Sequence, residues 1–237
     1  MRSKPCLLIL AMAMLFASCS KDPQPPQGLS FSILGDSFST FEGYVDPDSN
    51  DVWYYERIGV TSVEQMWWYQ VSTTMGWTLD KNNSFSGSLI CNFWNFNAGP
   101  YYKPHSFINR MDNLGNPDVI FIFGGTNDAL NGAYSGEFVY SDWTEEDLEF
   151  YRPALAYMFD SLKRLYPKAK LYFMIDMWLC EYDPFSNTFV QEALGIAHRY
   201  NVDCIELYDV HKNWAHPDVQ GMADIARQVV DALYESF

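Results

Sequence analysis

Five large apolar residues in unbroken succession, V-I-F-I-F from Val119 to Phe123, run straight into Gly124-Gly125-Thr126-Asn127-Asp128. A strand with one wet face alternates apolar and polar side chains, so an unbroken run predicts a parallel strand covered on both faces, over Asp118 to Phe123. Parallel neighbours need long crossovers, and helical patterns stand where crossovers are required. A strand from Leu29 ends at Gly35-Asp36-Ser37. Ser62 and Gln65 then form a capping box, with Val63, Met66, Trp67 and Val71 at helical spacing and Gly76 as the stop. A short second strand spans Trp77 to Asn82, and His105 to Leu114 reads as a modest helix; Leu89 to Tyr102 carries no assignment. Thr144 and Asp147 cap a helical pattern from Leu148 to Leu165, with a kink or restart at Pro153. Strands at Leu171 to Ile175 and Cys204 to Leu207, a loop from Asp176 to Pro184, a helix around Phe189 to Tyr200 and a last helix from Val219 complete the order. Strands alternating with helices predict a three-layer α/β/α, flavodoxin-like doubly wound sheet of about five parallel strands.

The N-terminus is a separate matter. Arg2 and Lys4 precede the apolar run Leu7 to Phe16, small residues Ala17 and Ser18 follow, and no acid occurs before Asp22. This is the pattern of a secretory signal peptide over residues 1–18, too short for a stable membrane-spanning helix. Cys19 resembles the lipidated cysteine of a bacterial lipobox, with an ordinary signal-peptidase cut as the alternative because Phe16 stands where leucine is usual. Residues 19–28, containing S-K-D-P-Q-P-P-Q-G, read as the lipidated cysteine and a flexible tether. The folded domain is expected at 29–237, exported and held to a bacterial membrane, on its periplasmic or cell-surface side, through the N-terminal lipid alone.

The net charge of −15 falls to −17 once Arg2 and Lys4 leave with the signal segment, which argues against nucleic acid or anionic membranes as partners. Beyond Cys6 and Cys19, Cys91, Cys180 and Cys204 are odd in number and lack C-x-x-C spacing, so a disulfide framework and a metal site are both disfavoured. His211, Asp209 and His216 lie close in sequence, but no further ligand cluster accompanies them, and loop polarity accounts for them. Aromatic residues make up 17% of the chain, more than a core of this size needs. Trp53, Tyr54 and Tyr55, in the long loop Phe38 to Thr61, either face a sugar or pin the loop by packing.

Loops after parallel strands share one rim, so Ser37, Gly87, Asn127 and the segment at His216 can converge although far apart in sequence. Acyl transfer by a serine needs a base for the hydroxyl proton and donors for the oxyanion. Ser37 is the candidate nucleophile and His216 the general base, then general acid to the leaving alcohol. The backbone N–H groups of Ser37 and Gly87, with the Asn127 side-chain amide, are the candidate oxyanion donors. Asp36 and Asp128 read as loop-shaping carboxylates rather than proton carriers.

Four blocks in order, G-D-S at 35–37, S-F-S-G at 84–87, G-T-N-D at 125–128 and H-P at 216–217, resemble the SGNH hydrolases, also called GDSL esterases and lipases. The resemblance implies the flavodoxin-like fold, ester hydrolysis without cofactor or metal, and the roles just given. One position departs: the family has aspartate three residues before the histidine, and this chain has Asn213. Three outcomes follow: a Ser-His dyad oriented by Asn213, an alternative acid in Asp209, or a domain that mainly binds. The leading function is an exported serine esterase that removes acyl groups, acetyl among them, from a carbohydrate through an acyl-enzyme on Ser37. A lipase or lysophospholipase and a non-catalytic glycan-binding lipoprotein are the alternatives.

Overall fold

Five strands, β1 (Ser30–Gly35), β2 (Thr78–Ser84), β3 (Val119–Phe123), β4 (Lys170–Asp176) and β5 (Asp203–Leu207), form one sheet in the order β2-β1-β3-β4-β5. Every neighbouring pair is parallel. These elements come from a computed structural model that describes residues 25–45, 52–93, 103–182 and 184–237. The expected signal segment, Cys19 and residues 46–51 of the long loop lie outside the described residues.

The helices are α1 (Trp67–Met75), α2 (Phe107–Arg110), α3 (Thr126–Leu130), α4 (Tyr151–Leu165), α5 (Trp178–Tyr182), α6 (Pro184–Arg199) and α7 (Val219–Ser236). The central strand β3 shows why both faces must be covered. Its side chains alternate by period two, so Ile120 and Ile122 join a core with Leu155, Phe159, Phe189 and Ile196 of α4 and α6. Val119, Phe121 and Phe123 join the opposite core with Trp67, Val71, Met222 and Val229 of α1 and α7. Burying one such side chain contributes about 1.5–3 kcal/mol relative to exposure, so an apolar residue at every position of β3 stabilises both layers at once. This is the expected three-layer α/β/α sheet.

Local chemistry explains where elements differ from the sequence reading. The Gln65 carboxamide oxygen accepts from the N–H groups of Thr61 and Ser62, and Met66 is extended, so the capping box closes a 3-10 turn at Val63–Gln65 and α1 begins one residue later. The expected helix from His105 to Leu114 is a 3-10 turn, Lys103–His105, followed by the single turn of α2. There Asn109 and Arg110 side chains take the carbonyls of Lys103 and His105, which competes with continued helix. Pro153 falls in the first turn of α4, after an extended Phe150, so the chain restarts rather than kinks. The loop after β4 contains α5, whose first N–H, at Trp178, is bound by Asp176 at 3.2 Å. A small antiparallel hairpin, β6 (Lys212–Asn213) and β7 (His216–Pro217), had no periodic signal at all. Residues 26–28 dock on the end of α1, the Trp77 indole donating to the Pro26 carbonyl and the Gly28 N–H to the Gly76 carbonyl.

Candidate active site

Ser37 opens a short 3-10 turn, Ser37–Ser39, two residues beyond the end of β1. The turn is fixed from several sides. Asp36, the residue before it, accepts the Phe38 N–H at 3.0 Å. The indole N–H groups of Trp67 and Trp68, both fully buried, donate to the Ser39 hydroxyl and carbonyl. Gly35 must be glycine because an added Cβ would come within 2.6 Å of the Ser84 hydroxyl on the neighbouring strand.

His216 reaches this turn from β7. Its Nε2 lies 3.0 Å from Ser37 Oγ, although 179 residues separate the two in sequence. The ring is stacked on Trp53, centroids 3.6 Å apart and planes within 12°, and Phe38 meets it edge-on. Burial, reinforced by the charge of Arg57, lowers the ring's pKa to about 4. The imidazole is therefore neutral near pH 7, with Nε2 able to accept the serine proton. Arg57 itself lies over the Trp53 ring, 4.7 Å from its centroid. Trp53 is in turn held by Thr40, whose hydroxyl donates to the Ser37 carbonyl, accepts the Trp53 N–H and meets the Ser86 hydroxyl at 3.3 Å. One buried threonine thus joins the Ser37 turn, the second block and the loop that carries the stacking ring.

Gly87 occupies the third position of a turn from Phe85 to Ser88 with φ +75°, a conformation glycine adopts without strain. Asn127 lies in α3 directly after β3, and its Nδ2 donates to the Ser88 carbonyl at 3.1 Å and to Asp36 Oδ2 at 3.3 Å. To serve an oxyanion the amide must release one of these, and the longer bond, to Asp36, is the weaker. Burial raises the Asp36 carboxyl to about 7, against opposing contributions from the Phe38 N–H and Arg110. Asp128 accepts the N–H groups of Ile90 and Cys91, and burial raises its pKa to about 6. Both acids therefore shape loops.

Asn213 is brought beside His216 through the main chain, as its register partner in the hairpin, while its side chain is exposed. Among the described residues no hydrogen bond joins Asn213 or Asp209 to the imidazole; Asp209 is exposed with φ +50° and borders a separate cavity with Trp178 and Tyr208. What holds the hairpin instead is a buried ion pair, Lys212 Nζ to Asp176 Oδ2 at 2.8 Å, and a hydrogen bond from the Tyr54 hydroxyl to the Pro217 carbonyl at 2.7 Å. Trp53 and Tyr54 are thus packing residues, whereas Tyr55 faces outward. Arg57, Lys212, Thr40 and Arg110 escaped the sequence reading; the buried Arg110 guanidinium donates to the Gly35 carbonyl at 2.6 Å, to the Ser88 hydroxyl and to the Asn83 carbonyl. Nothing in the largely polar stretch His105 to Leu114 marked it. His211 pairs with Asp218 at 2.8 Å, and no group of three potential metal ligands occurs among the described residues.

The family model for GDSL-like lipase/acylhydrolase matches residues 29–233. The chain belongs to the GDSL-like lipase/acylhydrolase family. That is a family of ester hydrolases. A GDSL-like lipase from Bacteroides ovatus is 44% identical, covers 86% of this chain and 97% of its own, and superposes with a TM-score of 0.78. One from Bacteroides uniformis is 41% identical over 86% of this chain and 94% of its own, also with a TM-score of 0.78. A carbohydrate esterase whose active site has divergent catalytic and non-catalytic binding functions is 18% identical, with 90% of this chain and 67% of that one covered and a TM-score of 0.58. That last likeness is one of fold alone. No curated protein matches the chain.

Proposed function

We propose that this GDSL-family hydrolase is an exported serine esterase that cleaves short acyl esters, acetyl among them, from carbohydrates. The observation that carries the reading is the 3.0 Å approach of His216 Nε2 to Ser37 Oγ at the carboxyl rim of the sheet. His216 takes the Ser37 proton as the hydroxyl attacks the ester carbonyl, then gives it to the leaving alcohol; water deacylates the enzyme by the reverse use of the same base. The N–H groups of Ser37 and Gly87 and the Asn127 amide receive the oxyanion, each such donor contributing about 3 kcal/mol to the transition state. The pair works as a dyad: stacking on Trp53 and the pinned hairpin orient the imidazole where the family has an aspartate. Loops rich in Asp, Asn, Tyr and Trp around the site support a polar leaving group over a long acyl chain. Export and attachment through Cys19 belong to the same proposal, and mass spectrometry of the mature N-terminus tests them.

The activity test compares p-nitrophenyl acetate, p-nitrophenyl octanoate and acetylated xylan, with Ser37→Ala as control. The proposal expects Ser37-dependent turnover that favours acetate over octanoate and releases acetate from the polysaccharide. Preference for octanoate would transfer the chain to the lipase reading. Absence of any Ser37-dependent turnover, with glycan binding retained, would replace the enzyme by the binding protein that the inward-bonded Asn127 amide also permits.

A further inference from the structure

Trp214 is the most exposed large apolar residue described, at 93%, and it stands at the tip of the hairpin two residues before His216. The ladder pairs Asn213 with His216, leaving Trp214 and Ala215 as a two-residue turn. Trp214 has φ +60°, while Ala215 is not among the positive-φ residues. Left-handed φ at the first turn residue alone is the pattern of a type II′ hairpin, where glycine is the favoured occupant. A tryptophan there carries backbone strain on the order of 1–3 kcal/mol, and its indole gains no burial in return. Nor is the tip loose, since Lys212 on one strand is ion-paired to Asp176 and Pro217 on the other accepts from Tyr54. The ring is therefore displayed from a fixed base.

Resting on the esterase reading above, we infer that Trp214 is a stacking platform for a pyranose ring on the leaving-group side of the ester, making it a specificity-determining residue. The ligand should present an apolar face and hydrogen-bonding edges, because the Trp214 ring is flanked along the hairpin by the exposed, polar Asn213. A lipid partner is disfavoured, since the net charge of −15 opposes an anionic membrane. A pyranose has the required form. Trp214 stands on the same hairpin as His216, two residues before the group that protonates the departing alcohol.

Trp214→Gly is the decisive variant, because glycine suits the turn and the hairpin is retained. The preference for acetylated xylo-, manno- or chito-oligosaccharides over p-nitrophenyl acetate, as a ratio of kcat/KM, should fall by about tenfold or more, carried by KM, as expected for loss of one aromatic contact. Trp214→Tyr should restore most of it. An unchanged ratio for all three oligosaccharides overturns the platform, and so does a parallel fall in kcat on both substrate types, which would make Trp214 a support for His216. Should wild type show no Ser37-dependent esterase activity, the esterase reading fails separately. Calorimetric titration of the Ser37→Ala protein with the same oligosaccharides then decides the platform: weaker binding with Trp214→Gly added supports it, and unchanged or undetectable binding overturns it.

Discussion

At the scale of single residues, the unusual partner of His216 is an aromatic ring instead of a carboxylate. Burial and Arg57 bring the imidazole to about 4, from an ordinary value of 6.5. The base is active only when unprotonated, so kcat/KM should rise with pH through about 4 to 5 and be level by about 6. Trp53→Ala uncovers the ring and removes its orienting surface, which should move that limb up toward 6.5 and lower kcat by roughly tenfold or more, since misplacement of a catalytic group by an ångström is expensive. Asn213→Ala, measured alongside, should change kcat by less than about threefold, because no side-chain bond to the ring is lost. A limb near 4 in both variants, with the larger loss in Asn213→Ala, would return the orienting role to Asn213. The turn at Ser37 was legible at this scale because Gly35 and Asp36 each have a distinct local task. Thr40 and Arg110 were not, since a threonine in a loop and an arginine in a short helix acquire meaning only from partners distant in sequence, Trp53 and Gly35 among them.

At the scale of elements, the strands were readable and the hairpin was not. Strands β3 and β4 bury apolar runs on two faces and β1 buries Phe31, Ile33 and Leu34, whereas β6 and β7 have two residues each and cannot show a period. Their placement depends on a buried ion pair and on the Tyr54 hydroxyl's bond to the Pro217 carbonyl. Lys212 and Asp176 have side chains 9% and 2% exposed, and removing one partner of such a pair leaves the other charge without compensation. Lys212→Met should therefore cost about 3 kcal/mol of stability by urea unfolding and should lower kcat as the His216 hairpin loosens. A variant as stable and as active as wild type would show that the hairpin is held by its backbone ladder and Tyr54 alone. Helix α5 was missed for a related reason: its start is set by the Asp176 side chain, which the sequence presents only as the end of a strand.

At the scale of the whole molecule, the parallel sheet does the assembling. The order β2-β1-β3-β4-β5 reverses direction at β1, so the loops after β1, β2 and β3 open onto one rim, and Ser37, Gly87 and Asn127 come from three consecutive positions along it. Four short motifs in the right order, with strands between them, were enough to anticipate this meeting. The side-chain connections that tune it were beyond reach, because they join segments whose separation in sequence carries no pattern. The account's central claim is that Ser37 is a nucleophile activated by His216. Incubation with a serine-directed fluorophosphonate followed by peptide mass spectrometry tests it directly. The account predicts one adduct per chain, on Ser37, and marked slowing of its formation in His216→Ala. Labelling at another residue, or equally fast labelling of Ser37 without His216, would contradict it.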